Sequence, residues 1–197
     1  MERYKDKIFK GSVFPDAPIK NNVKIVFTKE MIEEYIPTIQ KMKFKKGLML
    51  LCIIFAKKEG FFKGSRSYRT NNPGNIGNTD SGKNNGFASL EAGIIAQKLY
   101  FERIVNGLSK TYPIGKKVKI KPFYSKEIAE NQKTYGISPY VAGYEFVFTG
   151  QLDQVVKIYS TAARVGNSYL SEIISFFENH GIKINEKTTL SEILSIE

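Results

Sequence analysis

The sequence has almost none of two side chains that much enzyme chemistry relies on. It has one cysteine, Cys52, and one histidine, His180. A single cysteine allows no internal disulfide, and its place inside an apolar run is that of a small buried thiol. One His, one Cys and no paired carboxylates leave no ligand set for zinc, so neither a metal nor another cofactor is expected. A Ser or Cys nucleophile would lack its base, because His180 falls in a helix-exit turn beside Gly181. The longest apolar run, Leu48 to Ala56, is far short of the about 20 residues that span a bilayer. Residues 1–22, MERYKDKIFKGSVFPDAPIKNN, hold no apolar core of signal-peptide length, which sets the expectation of a chain made in the cytoplasm without a secretory signal. No internal repeat or low-complexity tract is evident.

What is present is enough for one domain with a full core: 197 residues with ordinary hydrophobic and charged fractions. Charge is less ordinary. Thirty Lys and Arg against nineteen Asp and Glu give +11, spread along the chain and mostly lysine. Such a field favours anionic polymers in general, including nucleic acid, teichoic acid and acidic glycans. No base-stacking motif or recognition-helix signature accompanies the lysines, which disfavours nucleic acid.

Hydrophobic spacing predicts a mainly α chain. Residues 1–27 read as an arm with a strand-like piece at Val23–Phe27. A helix follows with Thr28 as N-cap, and Pro37 kinks it or starts a second piece, Thr38–Met42. The basic run 41–46 reads as a solvated connection. Gly47–Lys58 is apolar on every face, so a helix there belongs in the middle of a core. It ends in Lys57-Lys58-Glu59-Gly60, with basic residues in the last turn and Gly at the exit. Residues 63–87, rich in Gly, Asn and Ser, read as one long loop with room for a small hairpin, and a loop of that length usually has a function. A helix capped by Ser89 runs to about Val105.

Lys117, Lys119 and Lys121 alternate with Val118 and Ile120, the period of a half-buried strand. Ser125–Gln132 reads as a short helix and Tyr140–Phe148 as β-forming. Helices return at Gln151–Tyr159 and Asn167–Asn179, and Thr189-Leu190-Ser191-Glu192 forms a capping box before a last one.

The remaining chemistry is that of one carboxylate. A Glu at the end of an apolar helix, shielded from water, has its pKa raised and can hold a proton for a glycosidic oxygen. Spacing alone also fits a solvated surface charge beside lysines. A phosphate cradle fits poorly, because Asn72-Pro73-Gly74-Asn75 follows a helix and not a strand.

The string Arg69-Thr70-Asn71-Asn72-Pro73-Gly74-Asn75-Ile76, some ten residues after Glu59-Gly60, resembles the R-N/T-N-N-P-G-N-I loop of lysozyme-like phage and bacterial peptidoglycan hydrolases. Phe87 to Ala96 (FASLEAGIIA) is similar to the F-x-S/T-x-E-x-G-x-x-A segment that follows it in that family. Tyr159 through Asn167, Ser168 and Tyr169 resembles its late tyrosine/asparagine segment, and His180-Gly181-Ile182 onward fits its ending. The resemblance covers about 46–108 and 150–197. It departs at Gly77, where a basic residue is common, and before Asn167, where the usual proline and acidic residue are missing. Residues 1–45 and 109–149 have no recognised counterpart.

The resemblance implies a mainly α, lysozyme-like helical domain over 46–197, while the residues outside it read by their own pattern as a small inserted α+β element at about 109–149 and an N-terminal arm and helix over 1–45. The implied activity is cleavage of the β-1,4 bond between N-acetylmuramic acid and N-acetylglucosamine in peptidoglycan. Glu59 is the implied catalytic acid; Asn72, Asn75, Tyr159 and Asn167 are implied groove residues. Glycan strands are the implied partner, with phage structural proteins beside them, and the bacterial cell wall is the implied place of action. A retaining mechanism needs a second carboxylate roughly 5 Å away and an inverting one a base farther off. Asp80 reads as a turn residue and Glu91 as a first-turn helix charge. Without either, the muramyl 6-hydroxyl attacks and a 1,6-anhydro end results, as in lytic transglycosylases. A catalytically silent virion or glycan-binding module on the same fold is the alternative.

Overall fold

The computed structural model describes residues 19–77, 84–124, 140–141, 143–160, 162–164 and 167–197. The chain is mainly helical with a small antiparallel element. Its axis is α2, Lys46–Lys58, in which every residue from Leu50 to Ala56 is buried. Around it pack α1 (Ile36–Lys41), α4 (Leu90–Val105), α6 (Ser168–Glu178) and α7 (Leu190–Ser195). The remaining helices are α3 (Arg66–Arg69) and α5 (Leu152–Tyr159). A helix apolar all round can be satisfied only by neighbours on every side, and here it has them. Gly47 makes one of those contacts possible, because a Cβ there would stand 1.9 Å from the Ile193 carbonyl of α7.

The N-terminal segment shares this core through Met31, Tyr35 and Ile39, spaced four apart. The Thr28 hydroxyl accepts from the Met31 N–H, so the expected cap is in place. Pro37 does not break the helix; the turn before it, Met31–Tyr35, widens to a π-helix and α1 continues with Pro37 in its first turn. A proline ring clashes with the carbonyl four residues back, and a wider turn is one way to relieve that clash. The strand expected at Val23–Phe27 is not one. The arm is held by side chains of α6 instead: the Lys20 and Val23 N–H groups donate to the Ser171 and Ser175 hydroxyls, each at 3.0 Å.

α4 is capped by Ser89 as its sequence predicts. Its buried stripe is Gly93, Ile94, Gln97, Phe101 and Ile104, while Ile95 and Leu99 face outward. Gln97 is fully buried. It donates to the Cys52 carbonyl at 3.0 Å and accepts from the Tyr35 hydroxyl at 2.8 Å, which satisfies both ends of a core amide. The Thr189–Glu192 capping box opens α7 in both directions.

β1 (Lys117–Ile120) and β4 (Tyr144–Val147) pair antiparallel as a two-strand ribbon. Beyond it, β2 (Phe123–Tyr124) pairs with β3 (Tyr140–Val141). Ile120 is buried while Lys117 and Lys119 are exposed, the alternation the sequence predicts. Lys121 lies past the strand, next to Pro122, which has no N–H to donate. The helix expected at Ser125–Gln132 lies outside the described residues. No helix among the described residues is long and apolar enough to cross a membrane.

Candidate active site

Glu59 closes α2, and the turn that follows is built tightly. Gly60 takes a left-handed φ of 72°. Its N–H reaches the Lys57 carbonyl and the Phe61 N–H reaches the Ala56 carbonyl, the paired bonds of a Schellman motif. The turn is tied from two sides, since Thr28 donates to the Phe61 carbonyl at 2.7 Å and Ser67 to the Gly60 carbonyl at 3.0 Å. Ser67 belongs to α3, which is capped by Ser65 and lies inside the stretch that reads as loop from sequence. The small hairpin expected within 63–87 is not formed among the described residues. The chain turns through Asn71 and Asn75, both left-handed, and the Phe87 N–H bonds back to the Thr70 carbonyl at 2.9 Å. Asn is among the few side chains that enter this backbone region without large strain.

The four residues named beside Glu59 have different placements. Asn75 reaches it: its Nδ2 donates to Glu59 Oε2 at 3.0 Å. Asn72 does not. It is fully buried, donates to the Ile76 and Asn85 carbonyls and accepts from the Ile76 N–H at 2.8 Å. Its amide therefore staples the loop and leaves no group facing a groove. Tyr159, at the end of α5, donates its hydroxyl to the Gly74 carbonyl and fixes the loop from the other side. Asn167 is half-buried at the N-cap position of α6, where its carbonyl accepts from the Ser171 N–H at 2.8 Å.

Behind the carboxylate stands a group of aromatic rings. Phe55, one turn earlier on α2, meets Tyr159 edge-on at 4.9 Å and Tyr169 at 5.6 Å. Tyr100 of α4 meets Tyr159 at 5.9 Å and donates its hydroxyl to Tyr112 at 2.6 Å. Tyr169 is buried and interacts with Glu59, although among the described residues its hydroxyl falls short of a well-formed hydrogen bond to it or to any other group. The charge on Glu59 is felt by Tyr100, Tyr159 and Tyr169 alike, and pushes the pKa of each up beyond what burial does.

Burial raises the Glu59 pKa above the ordinary carboxylate value. The Asn75 amide, the Arg66 guanidinium, the Tyr169 hydroxyl and the Lys58 ammonium oppose that rise without cancelling it. The result is a carboxyl that keeps its proton to higher pH than a solvated Glu, with an amide donor ready for its ionised form. Glu91, by contrast, is exposed in the first turn of α4, and its pKa is lowered by its own backbone N–H and by Ser89. It is a helix-end charge. Asp80 lies outside the described residues.

Sequence reasoning missed Arg66 and the Glu172 of α6 that binds Lys57 and Lys58, and it quoted Tyr169 in the late tyrosine/asparagine segment without giving it a place beside Glu59. Tyr169 and Glu172 stand more than 100 positions from Glu59, so no local pattern joins them; their three-residue spacing on a helix was the available signal. His180 bonds its Nδ1 to the Phe176 carbonyl at 2.7 Å, within its own helix exit. Among the described residues no three His, Cys, Asp or Glu side chains converge on a metal-sized site. A cleft beside the exit of α4, lined by Leu108, Lys110, Pro113 and Ile114, contains none of the Glu59 group. No protein-family model matches the chain, and no curated protein or solved structure matches it.

Proposed function

We propose that the protein is a peptidoglycan-cleaving glycosidase of the lysozyme-like kind, acting on the bacterial wall as a phage virion or lysis component. The observation that carries this reading is the state of Glu59: half-buried beside tyrosines, raised in pKa, and held by the Asn75 amide. The motif strings around it agree. In the proposed reaction the Glu59 carboxyl gives its proton to the glycosidic oxygen as the bond from the muramyl C1 breaks. Positive charge then develops at C1 and the ring oxygen, and the glucosaminyl residue leaves with a neutral 4-hydroxyl. Glu59, now a carboxylate, accepts a hydrogen bond from Asn75. It takes the proton of the muramyl 6-hydroxyl as that oxygen attacks C1, which closes a 1,6-anhydro ring and restores the acid.

A single carboxyl doing both steps fits the surroundings, because the charged side chains named beside Glu59, Arg66 and Lys58, are cations. The exposed lysines of the ribbon add the long-range attraction that an anionic wall offers a protein of +11. The test is clearing of purified peptidoglycan by wild type and Glu59→Gln. Clearing by wild type alone supports the reading. Equal clearing removes Glu59 from it, and glycan binding without product release favours the silent module.

A further inference from the structure

α6 carries a carboxylate whose partners are both next to the candidate acid. Glu172 Oε1 accepts from the Lys58 ammonium at 2.8 Å, and its Oε2 accepts from Lys57. The two lysines are the last residues of α2, and Lys58 immediately precedes Glu59. All three side chains are largely shielded, with exposures of 16 to 22%. The Lys58 ammonium also lies 4.9 Å from the centre of the Tyr169 ring, so α6 holds it through two groups one turn apart.

Cations at a helix C-terminus stabilise the helix through its carbonyl end. The same cations are a liability for an acid that must stay protonated, because a nearby ammonium favours the ionised carboxylate. We propose that Glu172 is a positioning residue for Glu59: by binding Lys57 and Lys58 it keeps their charge away from the acid and offsets it. This rests on the reading of Glu59 as the proton donor. Glu172 is itself a fixed charge. Burial pulls its pKa up, but the bonds from Lys57 and Lys58 outweigh that and hold it below the ordinary value. It faces Lys57, Lys58 and Tyr169. Glu59 faces Lys58 from its own helix, Arg66 from α3, Tyr100 from α4, Tyr159 from α5 and Tyr169 from α6. Of these, Lys58 is the cation that Glu172 holds directly.

The experiment is a carbon-detected NMR titration of the Glu59 carboxyl in the full chain. It compares wild type, Glu172→Gln, Lys58→Met and the double variant, with circular dichroism to confirm folding. Removing the carboxylate of Glu172 is expected to lower the Glu59 midpoint by about 0.5 to 1 pH unit. Removing Lys58 is expected to raise it, and the double variant to return near wild type. In wall-clearing assays the alkaline limb moves in the same direction as each midpoint. An unchanged or raised midpoint in Glu172→Gln overturns the proposal, as do shifts of the same sign in the two single variants. Should Glu172→Gln not fold, Glu172→Met takes its place: a lowered Glu59 midpoint supports the role, and an unchanged or raised one overturns it. Failure of wild type to clear the wall contradicts the glycosidase reading, whereas the NMR midpoints judge Glu172 without any activity.

Discussion

The exit of α2 and the β1–β4 ribbon are both rich in charged residues, and they treat charge in opposite ways. On the ribbon, Lys117 meets Glu145 at 3.1 Å with both side chains largely in water. Such a pair is screened, and its Coulomb gain is nearly offset by the order it imposes on two long side chains. At the exit of α2, Glu59 is drawn among tyrosines, Asn72 is fully buried, and Lys57 and Lys58 are clamped by Glu172. A polar group removed from water has to be bonded, paired or neutralised. The ribbon can therefore supply a long-range field, while the α2 exit can supply a proton. Only the second region holds its charged groups by buried or partly buried bonds.

Substitutions on the two sides sharpen that contrast, and the largest effect is expected at Glu59 itself. Glu59→Gln is expected to lower the release of soluble muropeptides by about 10² to 10⁴-fold, the range for loss of a general acid. Next comes Asn72→Ala, which removes the acceptor of the Ile76 N–H and one donor from each of the Ile76 and Asn85 carbonyls; urea denaturation is expected to show a loss of about 2 to 3 kcal/mol. A full retention of stability would mean that the loop does not depend on its staple. Tyr159→Phe removes the bond to the Gly74 carbonyl and is expected to cost about 1 kcal/mol in the same measurement.

A smaller effect has a sign of its own. Because burial raises the Glu59 pKa, the folded state holds that proton more tightly than the unfolded chain does. Its stabilising contribution is complete below the unfolded value and is lost as pH rises through the folded one. Glu59→Gln, which cannot ionise, is therefore expected to melt higher than wild type at neutral pH, by roughly 2 °C. The gap narrows as the pH falls toward about 4. Melting curves at several pH values check this; an unchanged melting temperature would place Glu59 in water, and a lower one would mean that Asn75, Arg66 and Lys58 outweigh its burial. The ribbon marks the bottom of the scale: the double substitution Lys117→Ala with Glu145→Ala is expected to change stability by less than about 0.5 kcal/mol.

Local rules made much of this legible. The all-apolar α2, the Ser89 cap and the Thr189 capping box each declare themselves within a few residues. Alternation at Lys117–Ile120 also suffices to announce a strand. The site was legible only in part. Glu59 and Asn75 lie on either side of one loop, and the motif strings bring them together. Asn72, in the same string, faces inward because the loop curls around it, and no spacing rule distinguishes the two asparagines. The four-residue α3 depends on the Ser67–Gly60 tie, a contact of tertiary origin that composition does not reveal. Tyr169 and Glu172 are brought to α2 by the packing of α6, which only the folded chain displays. The arm failed as a strand because its backbone donors found hydroxyls on α6 in place of a sheet edge.

In the proposed reaction Glu59 carries the proton that breaks the glycosidic bond. Mass spectrometry of muropeptides after digestion of purified wall tests this most directly. Wild type is expected to leave 1,6-anhydro ends and Glu59→Gln to leave at least about 10²-fold fewer. The same products in equal amount from both proteins would contradict it.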